Sequence, residues 1–113
     1  MPSPIMAKVD AHVERLGRKQ IEVEEWGDDG YPLTIYAPPI SIIEMNKWYK
    51  GITNDNISIL VDLIVAKSED VNGKKLFTIE DKPLLLRKAP FNLISRIAGE
   101  MMDTEDPETI EKN

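Results

Sequence analysis

The sequence predicts an α+β fold that is mainly α: an N-terminal helix, a β-hairpin over residues 20–37, then about four more helices and an acidic tail. Three observations predict it. Residues 20–37, QIEVEEWGDDGYPLTIYA, alternate apolar and polar positions on both sides of a Gly-Asp-Asp-Gly turn, which is hairpin patterning. Most of the remaining chain carries apolar residues at spacings of three and four, which is helical patterning. Prolines, glycines and capping residues punctuate those stretches where helices begin and end.

The first helix follows Ser3 and Pro4, with Ser3 as candidate N-cap and Pro4 in the first turn. Met6, Val9, Val13 and Leu16 fall on one face, and Gly17 supplies a positive-φ stop. His12 lies off that stripe and reads as a solvated side chain. In the hairpin, Ile21, Val23 and Glu25 alternate with Glu22, Glu24 and Trp26, while Leu33, Ile35 and Ala37 alternate with Thr34 and Tyr36. Pro32 cannot donate to a ladder and belongs at a strand start or edge. A lone ribbon is marginal in water, so it must pack on a helix or pair with another chain.

After Pro38-Pro39, Ser41 and Glu44 form a capping box for a helix whose stripe is Ile42, Met45, Trp48 and Tyr49. Residues 53–56 are loop chemistry. The segment ISILVDLIVAKSED places polar Asp55, Ser58, Asp62 and Glu69 at helical intervals, which predicts a helix apolar nearly all round, at the centre of the core. Asp70-Val71-Asn72-Gly73 is a turn, and Lys74 to Phe77 a short extended piece. Thr78 with Asp81 opens a helix through Leu84, Leu85 and Leu86, broken at Ala89-Pro90. Pro90 starts a last helix with Phe91, Ile94, Ile97, Ala98 and Met101 on one face. The predicted organisation is one domain over residues 1–102 and a flexible acidic tail over 103–113.

The totals narrow the function. The chain has 113 residues, 42% of them hydrophobic and 30% charged, which fits one small globular domain. A net charge of −6 argues against nucleic-acid binding. The charge is uneven: residues 1–19 are net +2 and residues 100–113 net −5. With no cysteine, disulfides, zinc-thiolate sites and a cysteine nucleophile are excluded. The N-terminal stretch lacks the apolar core of a signal peptide. The longest apolar run, Ile59 to Ala66, contains Asp62 and is too short for a membrane helix, so no membrane partner is expected.

No catalytic, cofactor or metal residues are predicted. The single histidine leaves no triad, no phosphate-loop frame occurs, and the pairs Glu24/Glu25 and Asp28/Asp29 read as solvated. The stretch from Asp70 has Lys74 and Lys75 where a calcium loop needs ligand and glycine. The candidate protein-binding residues are Trp26, Tyr36, Trp48, Met101 and Met102. Tryptophans bury a large ring around one polar atom, and methionines adapt to variable partners.

The order Val23-Glu24-Glu25-Trp26-Gly27, turn, second strand, helix, very apolar helix, then Asn72-Gly73-Lys74-Lys75-Leu76-Phe77-Thr78-Ile79-Glu80-Asp81 resembles the tail assembly chaperones of long-tailed bacteriophages (siphophage type). Trp26-Gly27 matches a strand ending in Trp-Gly, and Gly73, Leu76, Phe77 and Asp81 match a G-x-x-L-F-t-x-x-D pattern; the likeness spans roughly residues 5–102. It implies a non-enzymatic protein that acts as a homo-oligomer. Such a protein coats the tape measure protein, keeps it soluble and promotes tail tube assembly around it. It implies a place in the cytoplasm of the infected host and absence from the mature virion. The alternative is a phage structural protein, a minor tail or head–tail connector component. A small metal-dependent enzyme is the more distant third.

The resemblance also implies a second, longer product made by a −1 ribosomal slip near the end of the short one. Glu111-Lys112-Asn113 is compatible with the heptamer A-AAA-AAC straddling its codons. The expected nucleotide sequence carries that heptamer and an overlapping −1 frame; GAG-AAG at these codons with no such frame would remove the expectation.

Overall fold

The computed structural model describes residues 2–53 and 56–103. Among these, the chain forms α1 (Ile5–Leu16), β1 (Lys19–Asp28), β2 (Tyr31–Ala37), α2 (Ile42–Thr53), α3 (Ser58–Lys67), α4 (Asp81–Lys88) and α5 (Phe91–Met102). The fold is α+β and mainly α, as the patterning predicts. The expectations for Asn54 and Asp55 as loop residues, and for residues 104–113 as a flexible tail, lie outside the described residues.

β1 and β2 pair antiparallel, Lys19 opposite Ala37 through Val23 opposite Leu33, with a register shift before Asp28 meets Tyr31. The alternation works as read up to that shift: Ile21, Val23, Ile35 and Ala37 are buried. This face lies on α5, and α5 lies on α3, which also packs against α2 and α4. The core therefore runs from the ribbon through Leu93, Ile94, Ile97, Ala98 and Met101 of α5 to Val61, Leu63 and Ile64 of α3. α3 is the nearly all-round apolar helix predicted: besides its ends only Asp62 is polar, and it pairs with Lys82.

Past the ribbon, Glu69 acts as a one-residue third strand. The Tyr36 N–H donates to the Glu69 carbonyl at 2.9 Å, and the Glu69 N–H returns a bond to the Tyr36 carbonyl at 3.0 Å. Glu69 also bridges to Lys75, so the extended piece expected at 74–77 is confined to that single pairing. Arg18 closes the corner. Its guanidinium donates to Glu69 Oε1 and to the carbonyls of Asp70 and Val71, and sits 4.9 Å from the Tyr36 ring centre.

Helix termini divide by chemistry. Ser41 and Glu44 make the reciprocal capping box predicted: the Glu44 N–H donates to Ser41 Oγ, and the Ser41 N–H to Glu44 Oε1. At α4 only half a box forms, Asp81 Oδ2 accepting the Thr78 N–H at 2.8 Å while α4 itself has no side-chain cap. Ser3 does not cap α1, because Pro4 takes the cap position and only the Ser3 backbone carbonyl reaches into the first turn.

Two packing expectations need correction. The stripe on α1 covers nothing: Ile5, Met6, Val9, Val13 and Leu16 each keep 41–57% of their surface exposed, and α1 buries no residue. The periodicity is real, but among the described residues no element packs closely enough to bury it. On α5, Phe91 is exposed and Leu93 is buried in its place. The other four residues of the stripe, Ile94, Ile97, Ala98 and Met101, are buried as read, and Leu93 widens the buried face on the far side from Phe91 because the ribbon and α3 clasp the helix from two sides.

Glu44 ties the start of α2 to the end of α3. The Lys67 ammonium, nearly buried, donates to Glu44 Oε2 at 2.9 Å and to the Pro39 carbonyl at 3.3 Å. The Ser41 backbone N–H holds the Glu44 carboxyl below its ordinary pKa; burial opposes this, and Lys67 adds to it. A carboxylate with a depressed folded-state pKa stabilises the fold above the unfolded-state pKa, and that contribution disappears as pH falls through the folded value. Glu44→Ala is expected to cost about 1–2 kcal/mol at neutral pH through the lost cap and the stranded ammonium. In urea melts the gap between variant and wild type should narrow as pH drops below the ordinary carboxylate range; a constant gap would refute the coupling.

Candidate functional site

The five residues proposed for binding occupy different environments. Trp48 is 3% exposed and Met101 5% exposed; both lie in the core. Trp26, Tyr36 and Met102 are half-buried. Tyr36 sits under Arg18, at the corner described above. Met102 lines an open groove, and Trp26 packs near the hairpin turn, so the five do not form one patch.

Trp26 turns inward because of the irregularity in β1. Strict alternation would place it opposite Ile21 and Val23, on the solvent face. The shift after Val23 breaks that alternation, and Trp26 meets Phe77 edge-on, ring centres 6.0 Å apart at 73°. Gly27 permits this approach. A Cβ there would lie 2.1 Å from the Tyr31 carbonyl oxygen and 2.7 Å from the Pro32 Cα, so β2 passes where a side chain would stand. The two halves of the sequence pattern, Trp26-Gly27 and Leu76-Phe77, thus join in space. The loop that presents Phe77 is itself folded by Asp70, whose Oδ1 accepts the Asn72 and Lys74 N–H groups.

The groove with Met102 lies between α5 and the α2–α3 junction and has a volume of about 310 Å³. One wall is a face of α5: Phe91, Ser95, Gly99 and Met102. The other wall is Ile52, Ile57 and Leu60. Its lining is mostly apolar and open to solvent, and sequence reasoning found only Met102 of it. The others were missed because each looks like ordinary core or linker; the small pair Ser95 and Gly99, one turn apart between Phe91 and Met102, was the signal available.

Other apolar groups stand exposed. Ile42 and Ile43 keep 83% of their surface, and Ile79 as much. The acidic pair in β1 is partly engaged: Glu25 takes a two-pronged pair from Arg96, both contacts 3.0 Å, and Arg96 lowers the Glu25 pKa. His12 is exposed on α1. Among the described residues no cluster of three or more His, Cys, Asp or Glu could hold a metal ion, and no helix is long and apolar enough to cross a membrane.

This arrangement matches a solved structure. The chain has the fold of the bacteriophage HK97 tail assembly chaperone. The superposition has a TM-score of 0.51 and covers 86% of this chain and 99% of that one, at 13% sequence identity. No family model matches the sequence, and no curated protein does. At 13% identity the likeness lies in the path of the backbone.

Phe77→Ala is expected to lower stability by about 2 kcal/mol, the usual large-to-small cost reduced for a half-buried ring. It should also shift Trp26 fluorescence to longer wavelength as its edge becomes wet. An unchanged emission spectrum and melting curve would mean that the two segments do not depend on each other.

Proposed function

We propose that this chain is a tail assembly chaperone of a long-tailed phage, a binding protein and not an enzyme. It coats the tape measure protein, keeps it soluble, and releases it as tail tube protein polymerises around it. The observation that carries the reading is the fold shared with the HK97 chaperone over nearly that protein's whole length. The surface agrees in character: an uncovered helix stripe, an open apolar groove and exposed isoleucines offer apolar grip, while a net charge of −6 favours solubility.

In this reading the protein acts as a homo-oligomer in the host cytoplasm, and a longer product is made by the −1 slip. Residues 1–102 form the binding unit and 103–113 an acidic tail. Of the five binding residues, Met102 and the exposed edges of Trp26 and Tyr36 touch partners, while Trp48 and Met101 stay in the core. A holdase needs no turnover: binding the unassembled partner lowers its free concentration and so suppresses aggregation by mass action.

Co-expression tests this. The large helical partner encoded nearby is expected to be soluble with this chain and insoluble without it, and mass spectrometry of purified particles should find the chain absent. Equal solubility in both cultures would reject the chaperone role. Stoichiometric recovery from particles would instead favour a structural component.

A further inference from the structure

Two uncovered apolar surfaces have complementary shapes. α1 is a ridge: Met6, Val9, Val13 and Leu16 project along one face and bury nothing. The groove beside α5 is a trough, with Phe91 and Met102 standing above a floor of Ser95 and Gly99. Nothing lies within 4 Å of a Cβ built on Gly99, so the floor is open from above. Small residues one turn apart let a second helix come close.

The charges on either side agree. On α1, Lys8, His12 and Arg15 run along one flank of the stripe, and Asp10 and Glu14 along the other. None of these five has a hydrogen-bond or ion-pair partner among the described residues. The Gly99 edge of the groove is bordered by Arg96 and Asp103, its neighbours at one helical turn in each direction. Glu25 pairs with Arg96, and Glu24 and Glu100 lie close enough to raise the Arg96 pKa. Lys19 reaches the same edge through the carbonyls of Glu100 and Asp103. Four carboxylates against two cations leave this edge acidic.

We propose that α1 of one copy seats in the groove between α5 and the α2–α3 junction of a second copy, apolar ridge down, with Lys8, His12 and Arg15 over the acidic edge. This rests on the oligomeric reading above and names its interface. The contact is heterologous, since each copy gives one helix and receives one, so association continues from copy to copy unless the geometry closes a ring. An open array of this kind suits a long partner. Pairing of two α1 helices fits less well. An antiparallel pair would set like-charged flanks against each other, and a pair of 12-residue helices spans only about 18 Å.

Two variants separate donor from acceptor. Val9→Glu/Val13→Glu spoils the ridge, and Ser95→Lys/Gly99→Lys fills the groove floor; all four positions are exposed. By light scattering and sedimentation, wild type should gain mass with concentration, and each variant alone should stay monomeric. A one-to-one mixture should form a heterodimer and nothing larger, because one ridge and one groove remain. A monomeric wild type at high concentration overturns the proposal, as does either variant still assembling, or a mixture that stays monomeric. If a double variant loses its helical circular dichroism, Lys8→Glu/Arg15→Glu replaces it: association should weaken about tenfold, and unchanged association overturns the proposal. The readout needs no other protein, so its failure is separable from failure of the chaperone reading, which co-expression reports.

Discussion

A two-stranded ribbon cannot stand alone in water, and everything else in this fold follows from where its apolar face is covered. Ile21, Val23, Ile35 and Ala37 lie against α5, and α5 is held from behind by α3. Burying four such side chains is worth several kcal/mol, roughly 1.5–3 for each large one, against the ordering entropy of the strands. The ribbon and α3 take up two adjoining sides of α5. The other side, from Phe91 to Met102, is left to form a groove. The ribbon that follows α1 has turned inward, and among the described residues nothing buries the α1 stripe.

Long-range polar contacts then set the corners. Arg18 links the start of β1 to residues 69–71, more than fifty positions away in sequence, and Tyr36 and Glu69 extend the ribbon by one pairing. Glu44 and Lys67 join the start of α2 to the end of α3. Exposed pairs such as Glu25 with Arg96 add little individually. Arg18 is different because three acceptors and an aromatic face converge on one planar group, which fixes direction as well as energy.

Much of this was legible in the sequence. The hairpin showed as period-two alternation around a glycine turn, and α3 as an apolar helix, because both signals are local and strong. The Ser41–Glu44 box was legible for the same reason. What stayed hidden depended on tertiary choice. The stripe on α1 was visible, but periodicity says only that a face is apolar, not that its own chain covers it. The contact of Trp26 with Phe77 was hidden because the register shift near Gly27 leaves no pattern of its own. The groove was hidden because Ile52, Ile57 and Phe91 become a surface only when three helix ends meet. The comparison shows a shared fold, and the role proposed above draws on the apolar surfaces.

In the proposed assembly α1 gains a tertiary partner that it lacks among the described residues of its own chain. Amide hydrogen exchange across Ile5–Leu16, followed in dilute and in concentrated protein, measures this most directly. The account predicts rapid exchange along α1 in dilute solution, far faster than in α5, and protection that grows with concentration. Protection of α1 equal to that of α5 in dilute monomer would contradict it.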